Sequence, residues 1–149
     1  MSVRDCGSAR RPGRRTLIAY LDASAVVKRY VAEAGSDAVR DAMRRAEGWF
    51  MCRVGYVETV RAITQVAGAL AAKRFQREWP AFGVIEVDQR LLEQAAALAV
   101  EHSLRSLDAL HLAAALLLDS EDVLLATWDR RMHTAALDQG LKVLPARLS

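Results

Sequence analysis

The chain has 149 residues, enough for one domain with a sizeable core. Apolar residues make up 52% of it and Gly and Pro only 8 and 3 positions, which argues against disorder over most of its length. The formal charge of +3 sits in residues 1–15, MSVRDCGSARRPGRR, where five arginines against one aspartate give +4 and leave the rest at −1. Any nucleic acid must therefore be held by local patches and not by overall charge.

Residues 1–15 are expected to form a basic, disordered N-terminal tail ahead of a single domain over 16–149. The first element is a buried strand, Thr16 to Leu21, that delivers Asp22 at its end, and a short helix follows over Ser24 to Val31. Ser36 opens a second helix, SDAVRDAMRRAEG, stopped by Gly48. Trp49 to Cys52 reads as a strand, and Tyr56 to about Leu70 as a helix that extends or restarts at Ala71 and ends at Pro80. Gly83 to Val87 is strand-like, and Asp88 can cap the helix LLEQAAALAVEHS. Ser106 precedes an apolar helix, LDALHLAAALLLD, ending near Asp119. Val123 to Thr127 is a strand, DRRMHTAALDQG a helix closed by Gly140, and Leu141 to Leu144 a last strand. Helices alternating with short branched-residue strands predict an α/β fold with a largely parallel central sheet covered on both faces.

The two cysteines, Cys6 and Cys52, form no CxxC, which argues against a disulfide framework or a cysteine zinc site. The longest nearly apolar run, Ala109 to Leu118, is interrupted by His111 and too short to span a bilayer. Without an apolar secretory segment near the start, a cytoplasmic location with no membrane partner is expected.

Four carboxylates stand out by position. Asp22 ends the first strand, Glu58 and Asp108 lie in first turns of helices, and Asp129 follows the strand VLLAT. In an open α/β sheet, strand ends and helix starts converge on the edge where ligands bind. Clustered carboxylates repel one another unless a divalent cation makes their charge favourable, and Mg²⁺ or Mn²⁺ prefers oxygen ligands. Such ions serve phosphoryl chemistry. Each acid alone also has a local role, Glu58 and Asp108 as favourable charges at helix starts and Asp129 as a cap. No GxxxxGK[ST], GxGxxG or GxSxG is present, which excludes a P-loop nucleotidase and disfavours a dinucleotide site or a serine hydrolase. His102, His111 and His133 make no ligand pattern, and His111 is expected to be a packed histidine. Lys28, Arg29, Arg61, Arg105, Arg130 and Arg131 flank the acids as candidate phosphate contacts, while Tyr30 and Trp128 are expected to serve packing.

With those residues in place, the chain resembles the PIN-domain ribonucleases, and among them the toxins of VapBC-type toxin–antitoxin pairs. The resemblance runs over roughly residues 17 to 146 and is carried by YLDASAVVKRY, VGYVETVRA, LRSLDALHLAAAL and LLATWDRRMHTAA, each with an acid. It implies a PIN-like three-layer α/β/α sandwich and a metal-dependent endoribonuclease that inhibits translation until a cognate antitoxin neutralises it. By the same resemblance, Asp22, Glu58, Asp108 and Asp129 hold Mg²⁺ or Mn²⁺. Asp22 and Asp108 would be central, and Glu58 and Asp129 would bind directly or through water. Ser24 and Thr127 would support the site. A homodimer, and a hetero-oligomeric complex with the antitoxin received near residues 24 to 46 and 56 to 79, are further implications. Two alternatives stand beside it: a housekeeping PIN-type RNA-processing nuclease, and an inactive RNA-binding or interaction protein on the same fold.

Overall fold

The computed structural model describes residues 17–118 and 122–148. The expectations for the arginine-rich tail, for Thr16 as a strand residue and for Asp119 as a helix end lie outside them.

Among these residues five strands, Leu17–Leu21 (β1), Gly48–Cys52 (β2), Gly83–Ile85 (β3), Asp122–Ala126 (β4) and Lys142–Leu144 (β5), form one sheet. Its order is β3-β2-β1-β4-β5, and each neighbouring pair is parallel. Among the described residues seven α-helices fill the connections: Ala23–Tyr30 (α1), Ser36–Arg45 (α2), Gly55–Ala67 (α3), Ala69–Glu78 (α4), Gln89–His102 (α5), Ser106–Leu116 (α6) and Arg130–Asp138 (α7).

Side chains on a strand alternate between faces, so each strand contributes to two cores. Tyr20, Phe50, Cys52 and Leu125 pack with Leu91, Leu98, Leu112 and Met132 of α5, α6 and α7. Their neighbours Ala19, Leu21, Met51 and Ala126 pack on the other face with Val26, Val27, Met43, Ile63 and Phe75 of α1 to α4. The result is the expected α/β/α sandwich. Because helices cover both faces, the strands read as continuous apolar runs. Among the described residues no helix is long and apolar enough to cross a membrane.

Several boundaries differ from the sequence reading for local reasons. The helix expected to run on to Leu70 breaks at Gly68, whose φ of +89° is costly for any residue with a Cβ. Thr127 lies one residue beyond β4, with its N–H donating to the Leu144 carbonyl and its hydroxyl donating to Asp22. At the start of that strand, Asp122 is paired with Lys142 of β5.

The strand order matters most for function. From β1 the chain goes to β2 on one side and returns through β4 on the other. The carboxyl ends of β1 and β4 thus flank the switch point where open α/β sheets form their ligand crevice.

Candidate functional site

Asp22 stands at the end of β1 and is 4% exposed. It caps α1, with Oδ1 accepting from the Ala25 N–H at 3.0 Å. Oδ1 also accepts from Ser24 Oγ at 2.6 Å, and Oδ2 accepts from Thr127 Oγ1 at 2.5 Å. Ser24 Oγ in turn accepts the Trp128 N–H at 2.9 Å, and Thr127 Oγ1 accepts the Asp129 N–H at 3.1 Å. Two hydroxyls thereby lace the β1–α1 corner to the β4–α7 corner. Burial pushes the Asp22 carboxyl up from its ordinary range, against the downward pull of these hydrogen bonds.

Asp129 caps α7 through Oδ1, which accepts the Met132 N–H at 2.9 Å, so the local role foreseen for it is real. Asp108 lies in the first turn of α6, half-buried. Its pKa is raised to about 6, first by burial and then by the charges of Asp129, Asp22 and Glu58. The smaller, electrostatic part of that push comes from acids on three other segments of chain. Glu58, in the first turn of α3, is partly exposed, and its Oε1 lies 2.8 Å from Nε2 of His111.

His111 was expected to be packed, and it is fully buried, yet it also touches an acid of the site. It lies three residues after Asp108, one turn along the same helix. Its partner Glu58 is 53 residues away in sequence. The i,i+3 spacing DALH was the one available signal.

The basic candidates divide. Lys28 is 9% exposed, with its ammonium bonded to Glu33 and to the Ala34 carbonyl and set over the Trp128 ring. Arg29 pairs with Glu78 at 2.7 Å. Together with Arg40, Arg74 and Arg77 they line a cleft of about 430 Å³. Arg61 and Arg105 are exposed. Arg130 and Arg131 are also exposed and line a second cleft, of about 420 Å³, with Ser103 and Thr134. Neither of these two clefts is lined by Asp22, Glu58, Asp108 or Asp129.

As placed, no three acidic, histidine or cysteine side chains among the described residues form a ready-made chelate. The donor set nonetheless suits a hard divalent cation, since it is all oxygen and the charges of Asp129, Asp22 and Glu58 add to burial in disfavouring the charged form of Asp108.

Comparison with known proteins agrees with this geometry. The family model described as PIN domain matches residues 19–137. The chain is 33% identical over 140 residues to Ribonuclease VapC49 of Mycobacterium tuberculosis, covering 88% of this chain and 97% of the relative. It is 37% identical over 125 residues to Ribonuclease VapC46 of the same organism, covering 84% and 95%. Among solved structures, the toxin–antitoxin complex from Klebsiella pneumoniae aligns with a TM-score of 0.66 at 17% identity, covering 88% of this chain and 99% of that one. VapC20 of M. tuberculosis, described as a sarcin–ricin loop cleaving toxin, aligns with a TM-score of 0.66 at 18% identity, covering 78% and 94%. At those identities the structural likeness speaks for the fold.

Proposed function

This chain belongs to the PIN domain family, and on that premise we propose that it is an endoribonuclease toxin of the VapC kind, dependent on Mg²⁺ or Mn²⁺ and restrained by a cognate antitoxin. The observation that carries the reading is the placement of Asp22 and Asp129 at the carboxyl ends of β1 and β4, laced together through Ser24 and Thr127, with Asp108 near enough for both charges to raise its pKa. Asp22 and Asp108 are the central ligands in this reading, and Glu58 and Asp129 complete the charge. A divalent ion held there supplies an activated water and neutralises charge on the scissile phosphate.

The protein's own part is to aim and to restrain. Ser24 and Thr127 fix both oxygens of Asp22 so that it need not reorganise. Asp129 is anchored through the first turn of α7. Arg61, Arg105, Arg130 and Arg131 are the candidates for neighbouring RNA phosphates, since Lys28 and Arg29 already have partners within the fold. Pairing as a homodimer and capture by an antitoxin complete the proposal.

Expression in a bacterial host without the partner tests it. Wild-type chain should arrest growth and translation, and Asp108→Asn should not. Equal growth with both would remove the toxin reading.

A further inference from the structure

A glutamate at the mouth of an acidic site has three side-chain torsions and every electrostatic reason to swing away from its neighbours. Glu58 is held instead. Its Oε1 lies 2.8 Å from Nε2 of His111, a ring with no exposure. The other ring nitrogen, Nδ1, lies 2.7 Å from the hydroxyl of Tyr20, which is equally buried. That hydroxyl in turn accepts the backbone N–H of Cys52 at 2.9 Å.

The direction of each bond follows from counting hydrogens. The Cys52 amide can only donate, so the Tyr20 oxygen accepts from it. Burial keeps Tyr20 a hydroxyl, and for a neutral imidazole its own hydrogen goes to Nδ1 of His111. The ring hydrogen then sits on Nε2 and points at Glu58. A chain of directed bonds thus runs from the backbone of β2, through the strand residue Tyr20 and the helix residue His111, to one oxygen of Glu58. The fold makes room for it. A Cβ at Gly55, at the start of α3, would stand 2.9 Å from Cε1 of His111 and 2.6 Å from Sδ of Met51.

A purely structural core could fill this space with Leu and Phe and avoid burying the polar ends of Tyr20 and His111. The relay has one open end, and that end is the acid. We propose that His111 is a positioning residue for the cleavage site, its Nε2–H locked in direction by Tyr20 so that Glu58 is held by one oxygen and keeps the other for the cation. This rests on the reading of Glu58 as one of the cation-holding acids.

The test is calorimetric titration of the purified full-length chain with Mn²⁺ alone, for wild type and for His111→Leu, His111→Gln, His111→Asn, Glu58→Gln and Asp108→Asn. Thermal midpoints identify any variant that has failed to fold. A glutamine amide can reproduce the donor at Nε2, whereas an asparagine reaches only the position of Nδ1. His111→Leu and His111→Asn should weaken Mn²⁺ binding by about tenfold, and His111→Gln should stay within about threefold of wild type, as expected for a group that orients a ligand. On an RNA that the wild type cuts, the loss should appear in kcat and leave KM unchanged. Gln and Asn behaving alike, or His111→Leu binding Mn²⁺ as wild type does, would overturn the inference while Asp108→Asn still loses the ion. If His111→Leu itself does not fold, the Gln–Asn pair decides. Unaltered binding by Glu58→Gln would overturn the inference at its premise, and no binding by wild type would bring down the reading of the acids as a whole.

Discussion

Thr127 donates its hydroxyl to Oδ2 of Asp22 at 2.5 Å, across 105 residues of chain. The bond joins the carboxyl ends of β1 and β4 and holds a carboxylate that solvent barely reaches. Thr127 itself is fully buried, so its loss leaves a polar oxygen with no water to turn to. Thr127→Val keeps the shape and removes the donor, and it should lower stability by about 1–3 kcal/mol. Thr127→Ser should remain near wild type. Urea unfolding of the two variants checks this.

The Asp108 carboxyl sets a pH dependence of stability. Its folded pKa of about 6 lies above the ordinary 3.8, because burial and the neighbouring carboxylates disfavour its charge. A raised folded pKa means the folded chain holds that proton more tightly than the unfolded one. The contribution is fully present below pH 3.8 and is lost as pH rises through about 6. Without a divalent ion, Asp108→Asn should therefore unfold at higher denaturant than wild type at pH 7, by about 1 kcal/mol after allowing for solvent screening. The difference should shrink as pH falls toward 4. A gap that widens on acidification would contradict the sign.

A cation that binds only the folded chain raises its stability by mass action. At a hundred times the dissociation constant the gain is about 2.7 kcal/mol, several degrees in thermal midpoint for a chain of this size. Mn²⁺ should therefore raise the midpoint of wild type, chelator should reverse it, and Asp108→Asn should respond little. The comparison by thermal melt needs no substrate.

The Arg29–Glu78 pair ties α1 to α4 beside a cleft that holds three further arginines. The Arg29 guanidinium holds the Glu78 carboxyl below its usual range, so its contribution is present above the unfolded pKa and is lost as pH falls through the folded one. Both groups are partly exposed, which limits the pair to about 1 kcal/mol. A double-mutant cycle with Arg29→Met and Glu78→Gln should return a coupling of about that size at neutral pH, smaller in high salt.

What could be read from the sequence was whatever depends on neighbours along the chain. Asp22 was visible because an apolar strand ends on it, and Asp88 because an acid directly precedes a helical pattern. The five strands and their parallel pairing followed from the alternation of elements. What depends on contacts between distant segments was not legible. The order β3-β2-β1-β4-β5 cannot be seen in any window of sequence, nor can the meeting of Tyr20, Cys52 and Glu58 around His111. Lys28 looked like a phosphate contact because it flanks an acidic motif. In the fold its ammonium turns to Glu33 and the Ala34 carbonyl. Helical spacing gives the face of a side chain, not the partner that a neighbouring loop will bring to it.

The most direct test of the central claim is cleavage of total bacterial RNA by the purified chain with Mg²⁺, with Mn²⁺ and with chelator, beside Asp108→Asn. The proposed reading of Asp22, Glu58, Asp108 and Asp129 as cation-holding acids predicts discrete fragments that need the ion and vanish in the variant. RNA left intact under every condition, or cut equally well by Asp108→Asn and in chelator, would contradict the account.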